Sequence, residues 1–430
     1  AIQYRFTGVQ TTTVKKDTSI RYQGGIKSPI LTDVKTGDTL IFLEELEDWA
    51  QVATMDGYIG YVQKDTIASA ETKDFERSFE KEEYTYLTMD GKVNMSWHQV
   101  TSQDANAYLA DTIANVSGVN VISPTWYYIQ DTAGNIGNIA SADYVALAHE
   151  RGLKVWGLID NFTAEVSTTD TLSQLSSRQN MIQQLIQSAT TVGLDGINVD
   201  FETLSEDAGP HFLEFLRELS IECHKNNLVL SVDNYSPMPH TAFYDRTQQG
   251  QVVDYVVVMA YDEHYVKGPE AGSTSSLAFV KQSAERTIAE VPKEKVIVGL
   301  PFYSRLWCET PADSESDKTD NSQVFVDNSD GTYDSKNSKY LLSSKGVSME
   351  GENNIIREHD LSLTWLDDVG QFYTEYEENG SWYRLWVEDE NSMDLKMQAA
   401  CSYEPGGVAF FKLNMENQET WSIIRKYTDK

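Results

Sequence analysis

Between residues 93 and 411 the chain repeats one alternation eight times. Short apolar runs at 93–97, 119–123, 153–158, 196–201, 228–232, 255–259, 296–300 and 407–411 are separated by segments with helical periodicity, among them 141–151, 178–192, 211–226 and 275–290. A strand followed by a helix followed by a strand requires the strands to run parallel, because the helix carries the chain back to the same edge. Eight such units close most simply into a (β/α)8 TIM barrel, which fixes the expected class as α/β and assigns residues 86–430 to one domain.

The repeat breaks once. About 100 residues separate the seventh and eighth runs, and they contain alternating strand-like stretches at 323–326, 361–365, 371–376 and 383–387. An α+β insertion over about 304–395 is expected there. Residues 301–400 carry 21 acidic against 8 basic side chains, so −13 of the net −32 lies in this segment.

Upstream, residues 1–70 are rich in Thr, Val and Ile, with turn signals at Gly24-Gly25, Gly37-Asp38 and Asp56-Gly57, the pattern of short strands in a small all-β module. Residues 71–85 are charged without an apolar period and are expected to be a linker.

A net charge of −32 repels phosphate backbones and anionic lipid headgroups, which excludes nucleic acid and membrane insertion as first expectations. No apolar run approaches the roughly 20 residues of a membrane-spanning helix. Cys223, Cys308 and Cys401 are too few and too scattered for a disulfide framework, and the seven histidines are dispersed, so no metal site and no cofactor site assembles from spacing. The chain starts at Ala1 without a signal sequence, and the expectation is an extracellular, cell-envelope or spore-associated protein whose export signal or anchor is not in this chain.

The chemistry is expected at the C-terminal ends of the barrel strands. The fourth run, Asp195-Gly196-Ile197-Asn198-Val199-Asp200-Phe201-Glu202, places Asn198, Asp200 and Glu202 on one face, with Ile197, Val199 and Phe201 turned towards the helices. Two carboxylates in one row inside a barrel cost desolvation energy that a purely structural role does not recover.

This stretch resembles the Asp-x-x-Asp-x-Asp-x-Glu signature of family-18 glycoside hydrolases, the chitinases and endo-β-N-acetylglucosaminidases. Met259-Ala260-Tyr261-Asp262 and Gly299-Leu300-Pro301-Phe302-Tyr303 match at further positions, and Ser123-Pro124-Thr125-Trp126, Lys154-Val155-Trp156-Gly157 and Trp386-Val387-Glu388-Asp389 are similar to the spore-cortex and cell-wall branch. Residues 1–70 resemble bacterial Src-homology-3-like domains, through Trp49-Ala50-Gln51-Val52 and Gly57-Tyr58-Ile59-Gly60-Tyr61 among others.

The resemblance implies retaining hydrolysis assisted by the substrate's own 2-acetamido group. Glu202 is the implied general acid, Asp200 and Tyr261 the residues that orient the acetamide, and Asn198 and Asp195 the rest of the signature. Asp262, Tyr303, Phe411 and Met259 are the implied sugar contacts; Trp126, directly after the second run, is the first candidate among the strand-end aromatics to stack on a sugar, with Trp97, Tyr127, Trp156 and Tyr235 as further ones. Arg305 has two readings, a contact to a polar substituent of the substrate or a surface ion pair. The implied partner is a polysaccharide, peptidoglycan, cortex or a chitin-like glycan, with cell-wall binding by the N-terminal module. Chitinase or endo-acting hydrolysis of other glycans, and a non-hydrolytic carbohydrate-binding barrel, are the alternatives.

Three departures bear on this. Asn198 replaces the usual Asp, so Asp200 is expected to lack a like charge beneath it and to ionise over a wide pH range. Phe411 stands where many chitinases have Trp, and Thr203-Leu204 follows Glu202 in place of Tyr-Pro.

Overall fold

The structure, a computed structural model, describes residues 5–76, 85–331 and 336–429. The chain divides into two compact units, Ala1–Glu83 and Tyr84–Lys430.

The first unit is a seven-stranded antiparallel sheet. Ile20, Leu40, Ala50, Val52 and Val62 of the strands form its core, joined by Val14 and Ile67, which pair with each other in an isolated bridge. At Gly60 a side chain would meet the carbonyl oxygen of Arg21 at 2.5 Å, which explains the glycine in the Tyr58-Ile59-Gly60-Tyr61 stretch. One expectation needs correction. Part of the presumed linker is a strand, Glu71–Glu76, which pairs antiparallel with Arg5–Thr13 at the edge of the sheet. Its charges hid it, because an edge strand needs no apolar period and charge on it discourages pairing with other chains. The remainder of that segment, 77–84, lies outside the described residues.

The second unit is the barrel. Its strands are β1 (Val93–His98), β2 (Val121–Ile129), β3 (Lys154–Asp160), β4 (Gly196–Asp200), β5 (Val229–Tyr235), β6 (Tyr255–Met259), β7 (Val296–Pro301) and β8 (Gly407–Phe411). Each pairs in parallel with the next, and β8 pairs with β1 to close the ring. Alternation along each strand sorts the side chains into two apolar layers. Ile197, Val199 and Phe201 join the helices outside the barrel, where Phe201 stacks on Phe215 and lies tilted against Phe212 of the helix Gly209–Lys225, both with centroids 5.6 Å apart. Met95, Trp97, Trp156, Leu158, Val257, Met259 and Ile297 fill the interior.

The insertion is a six-stranded antiparallel sheet from Tyr303–Pro311 to Ser381–Val387, with the helix Met349–Glu358. It ends earlier than residue 395, because Met393, Met397, Ala399 and Ala400 of the helix Glu390–Ser402 pack into the barrel's outer layer. A buried polar joint fastens the two parts. The Glu388 carboxylate accepts from Lys396, from Gln371 Nε2 (3.0 Å) and from Ser392 Oγ (2.7 Å), while its backbone N–H donates to Glu352 Oε2 (2.8 Å). Buried charges of this kind are tolerated only when paired and hydrogen-bonded, and removing one partner typically costs about 3–5 kcal/mol.

Candidate active site

At the C-terminal mouth of the barrel, Trp97, Asp200, Glu202, Asp233, Tyr235, Met259, Tyr261, Asp262, Tyr303 and Phe411 line one pocket. Eight of the residues expected from the sequence meet at this end of the barrel: Asn198, Asp200, Glu202, Met259, Tyr261, Asp262, Tyr303 and Phe411. Asn198 sits just below, fully buried, its Oδ1 accepting from Trp97 Nε1 (3.3 Å) and Ser123 Oγ (3.1 Å).

Glu202 is held from three directions. Its carboxylate oxygen Oε2 accepts from Tyr235 Oη at 2.6 Å, its backbone N–H donates to Asn161 Oδ1 at 2.9 Å, and its carbonyl accepts from Asn161 Nδ2 at 2.9 Å. Tyr235 in turn accepts from the N–H of Thr203, whose φ of 50° turns the chain sharply just after the acid. Burial raises the Glu202 pKa above the ordinary carboxyl value; the Tyr235 hydrogen bond opposes this, and the charges of Asp262 and Asp160 add to it. A carboxyl so poised keeps its proton to higher pH than a solvated glutamate, which is what a general acid needs.

Across the pocket, Asp262 Oδ1 accepts from Tyr303 Oη and Arg305 Nη2, both at 2.7 Å. Arg305, only 12% exposed, is therefore engaged by a site carboxylate and is not a surface ion pair. Phe411 packs 5.5 Å from Tyr261, 5.8 Å from Trp97 and 6.0 Å from Tyr303, giving the pocket an aromatic wall.

Two expected residues are elsewhere. Asp195 precedes β4 and caps the opposite end of the barrel, accepting from His149 Nε2 (2.7 Å), Lys154 Nζ (2.8 Å) and the Val155 N–H (2.8 Å). Five residues at about 3.3 Å each put it roughly 16 Å from Asp200, too far to share its chemistry. Trp126 is fully buried outside the barrel, edge-on to Tyr144 at 4.8 Å and donating from Nε1 to Asn106 Oδ1 at 2.8 Å. β2 runs on to Ile129, and its register against β3 slips between Leu158 and Ile159, beside Trp126, so the aromatic turns into the helical layer. Tyr127 is buried in that layer too, and Trp156 lies inside the barrel stacked on Tyr255 at 5.6 Å. Of the strand-end aromatics, Trp97 and Tyr235 reach the pocket.

The expected ionisation of Asp200 is also overturned. Its pKa is raised well above the ordinary value, first by burial and then by Asp233, Glu202 and Asp160. The like charge missing at position 198 is supplied from neighbouring strands. Asp160 and Asp200 are abreast in the β3–β4 ladder. Burial pushes Asp233 up to about 8, against the lowering effect of the neighbouring Asn198 amide and of the Trp97 indole N–H, which donates to its Oδ2.

A family model, Glycosyl hydrolases family 18, matches residues 58–416, and a bacterial SH3 domain model matches residues 16–68. The chain belongs to glycosyl hydrolase family 18. Among its family relatives are the uncharacterized glycosylase YvbX of Bacillus subtilis (strain 168), 24% identical over 72% of this chain and 85% of that protein, and the cortical fragment-lytic enzyme of Bacillus anthracis, 22% identical over 61% and 56%. The crystal structure of the spore cortex-lytic enzyme SleL from Bacillus cereus shares the fold with a TM-score of 0.64 at 17% identity, covering 83% of this chain and 77% of that one. This family-18 chain is a glycoside hydrolase with a TIM barrel and an N-terminal bacterial SH3 domain.

Proposed function

We propose that the chain hydrolyses β-1,4 bonds of N-acetylglucosamine-containing glycans, peptidoglycan or spore cortex, with retention and with the substrate's acetamido carbonyl as nucleophile. Glu202 protonates the departing glycosidic oxygen and afterwards takes a proton from water. Asp200 accepts the acetamide N–H and faces the positive charge that develops at C1, and Tyr261 donates to the acetamide oxygen.

The observation that carries this is the contrast within one row. Glu202 is at the open mouth with a hydrogen-bonded carboxyl of raised pKa, while Asp200 lies behind it and lines the same pocket. The cell-wall substrate is favoured by the cortical fragment-lytic relatives and by the SH3 module, to which we assign wall binding. An extracellular or envelope location follows from that substrate; among the described residues no helix is long and apolar enough to cross a membrane.

The test is Glu202→Gln assayed on peptidoglycan, cortex, chitin oligomers and a glycoprotein in parallel, with mass spectrometry of products and NMR of the first-formed anomer. Loss of all cleavage in the variant and a β-anomeric product from the intact enzyme are expected. Sugar binding without turnover by the intact protein on every substrate would favour a lectin.

A further inference from the structure

Two buried carboxylate oxygens in the pocket have no hydrogen-bond partner, Asp200 Oδ1 and Asp233 Oδ1. They belong to adjacent parallel strands. Val199 stands abreast of Val232 in the β4–β5 ladder, and both valines lie in the apolar layer beneath the helices. The next residue on each strand points to the opposite face, so Asp200 and Asp233 project into the barrel side by side, at a strand spacing of about 4.8 Å. Asp233 is 1% exposed.

Asn198 completes the geometry. Its Oδ1 and Asp233 Oδ2 each lie 3.3 Å from the same donor, Trp97 Nε1, so one indole N–H spans an amide at 198 and a carboxylate at 233. A second carboxylate at 198 would add a further anion to a barrel end that already holds Asp160 on β3, Glu202 after β4 and Asp262 after β6. Arg305 is committed to Asp262.

Two anionic carboxylates placed this way repel each other and lose their hydration. A single proton between the two orphan oxygens removes one charge and gives both oxygens a partner. We propose that Asp233 is a positioning residue that shares one proton with Asp200, supplying from β5 the carboxylate that the family signature usually carries at position 198. The proposal takes the part of Asp200 in the proposed reaction as given. With the proton resting on Asp233, Asp200 meets the acetamide N–H as a carboxylate; with the proton on Asp200, the pair is neutralised on the substrate side. The pair's total charge is unchanged by the transfer.

The relocation makes a swap experiment possible. Asp233→Asn keeps an amide that fits the space and removes the shared proton's second seat. It should lower kcat by about tenfold or more and move the alkaline limb of the kcat/KM profile to lower pH, because the second negative charge that the pair takes on at its upper titration step no longer forms beside Glu202. The double variant Asn198→Asp/Asp233→Asn returns a carboxylate to Asp200's side from the other position and should recover most of both effects. An unmoved pH limb in Asp233→Asn, or a double variant no better than the single one, overturns the proposal. A structural role alone would lower activity without moving the limb.

Carbon-13 NMR of aspartate-labelled intact protein reads the pair directly, whatever the substrate. Two linked carboxyl titrations are expected, the upper well above the ordinary aspartate range, with the upper step further raised in Asn198→Asp, a variant that keeps both members of the pair. Independent titrations within the ordinary range overturn the shared proton. If instead the linked titrations appear and Glu202→Gln leaves glycan cleavage intact, the pairing stands and the proposed reaction falls.

Discussion

Tyr235 Oη donates to Glu202 Oε2 at 2.6 Å, from a strand adjacent to the one that leads into the acid. The bond stabilises the ionised carboxylate and so restrains the rise in pKa that burial causes. Tyr235→Phe should therefore raise the Glu202 pKa and shift the alkaline limb of the kcat/KM profile to higher pH, with kcat reduced about tenfold. A hydrogen bond to a charged group is worth about 1.5–3 kcal/mol, and 1.36 kcal/mol corresponds to about one pH unit. An unchanged limb would show that the contact does not tune the acid.

Asn161 brackets the Glu202 backbone through both its donor and its acceptor. Asn161→Ala removes these two hydrogen bonds and a third to Thr168 Oγ1, worth about 1 kcal/mol each, and frees the sharp turn at Thr203. The expected signature is a fall in kcat of about tenfold or more with KM nearly unchanged, since a misplaced acid harms the bond-breaking step more than sugar binding. A rise in KM alone would contradict it.

Trp126 belongs to the outer core and not to a sugar subsite. Trp126→Ala should cost about 3–5 kcal/mol of stability, measured by chemical denaturation, while the fraction that remains folded keeps its kcat/KM. Phe411→Ala, at the pocket wall, should do the reverse and raise KM with a smaller loss of stability.

Raised carboxyl pKa values in the folded state also bear on stability. A folded-state pKa of about 8 for Asp233 means that the native protein binds more protons than the unfolded chain between about pH 4 and pH 8. Unfolding free energy from this group therefore falls as pH rises through that window. Asp200→Asn, which removes one carboxylate of the pair, should raise Tm relative to the parent at pH 8, with the difference shrinking towards pH 4. Calorimetry across that range checks the sign.

The insertion carries much of the negative charge, and its first strand supplies Tyr303 and Arg305 to the site. Wall decorated with anionic polymer should be cleaved more slowly than bare glycan at low ionic strength, and salt should narrow the gap as the Debye length falls to about 8 Å at 0.15 M. Equal rates at low salt would count against it.

Much of this molecule is local in its sequence. Period-two alternation in eight apolar runs, separated by helical segments, dictates a parallel barrel, and the same alternation puts Asn198, Asp200 and Glu202 on one face and Ile197, Val199 and Phe201 on the other. What lay beyond the sequence was everything that depends on one strand standing beside another. Asp160, Asp233 and Tyr235 meet Asp200 and Glu202 through the register of three strands, and Asn161 reaches Glu202 across 41 residues of chain. A register slip in β2 turned Trp126 outward, and length along the strand took Asp195 to the far end. The sequence determined the row of side chains, because alternation is a property of a single strand. The tertiary structure decided their ionisation, because burial and the charges of adjacent strands act only once the barrel has closed.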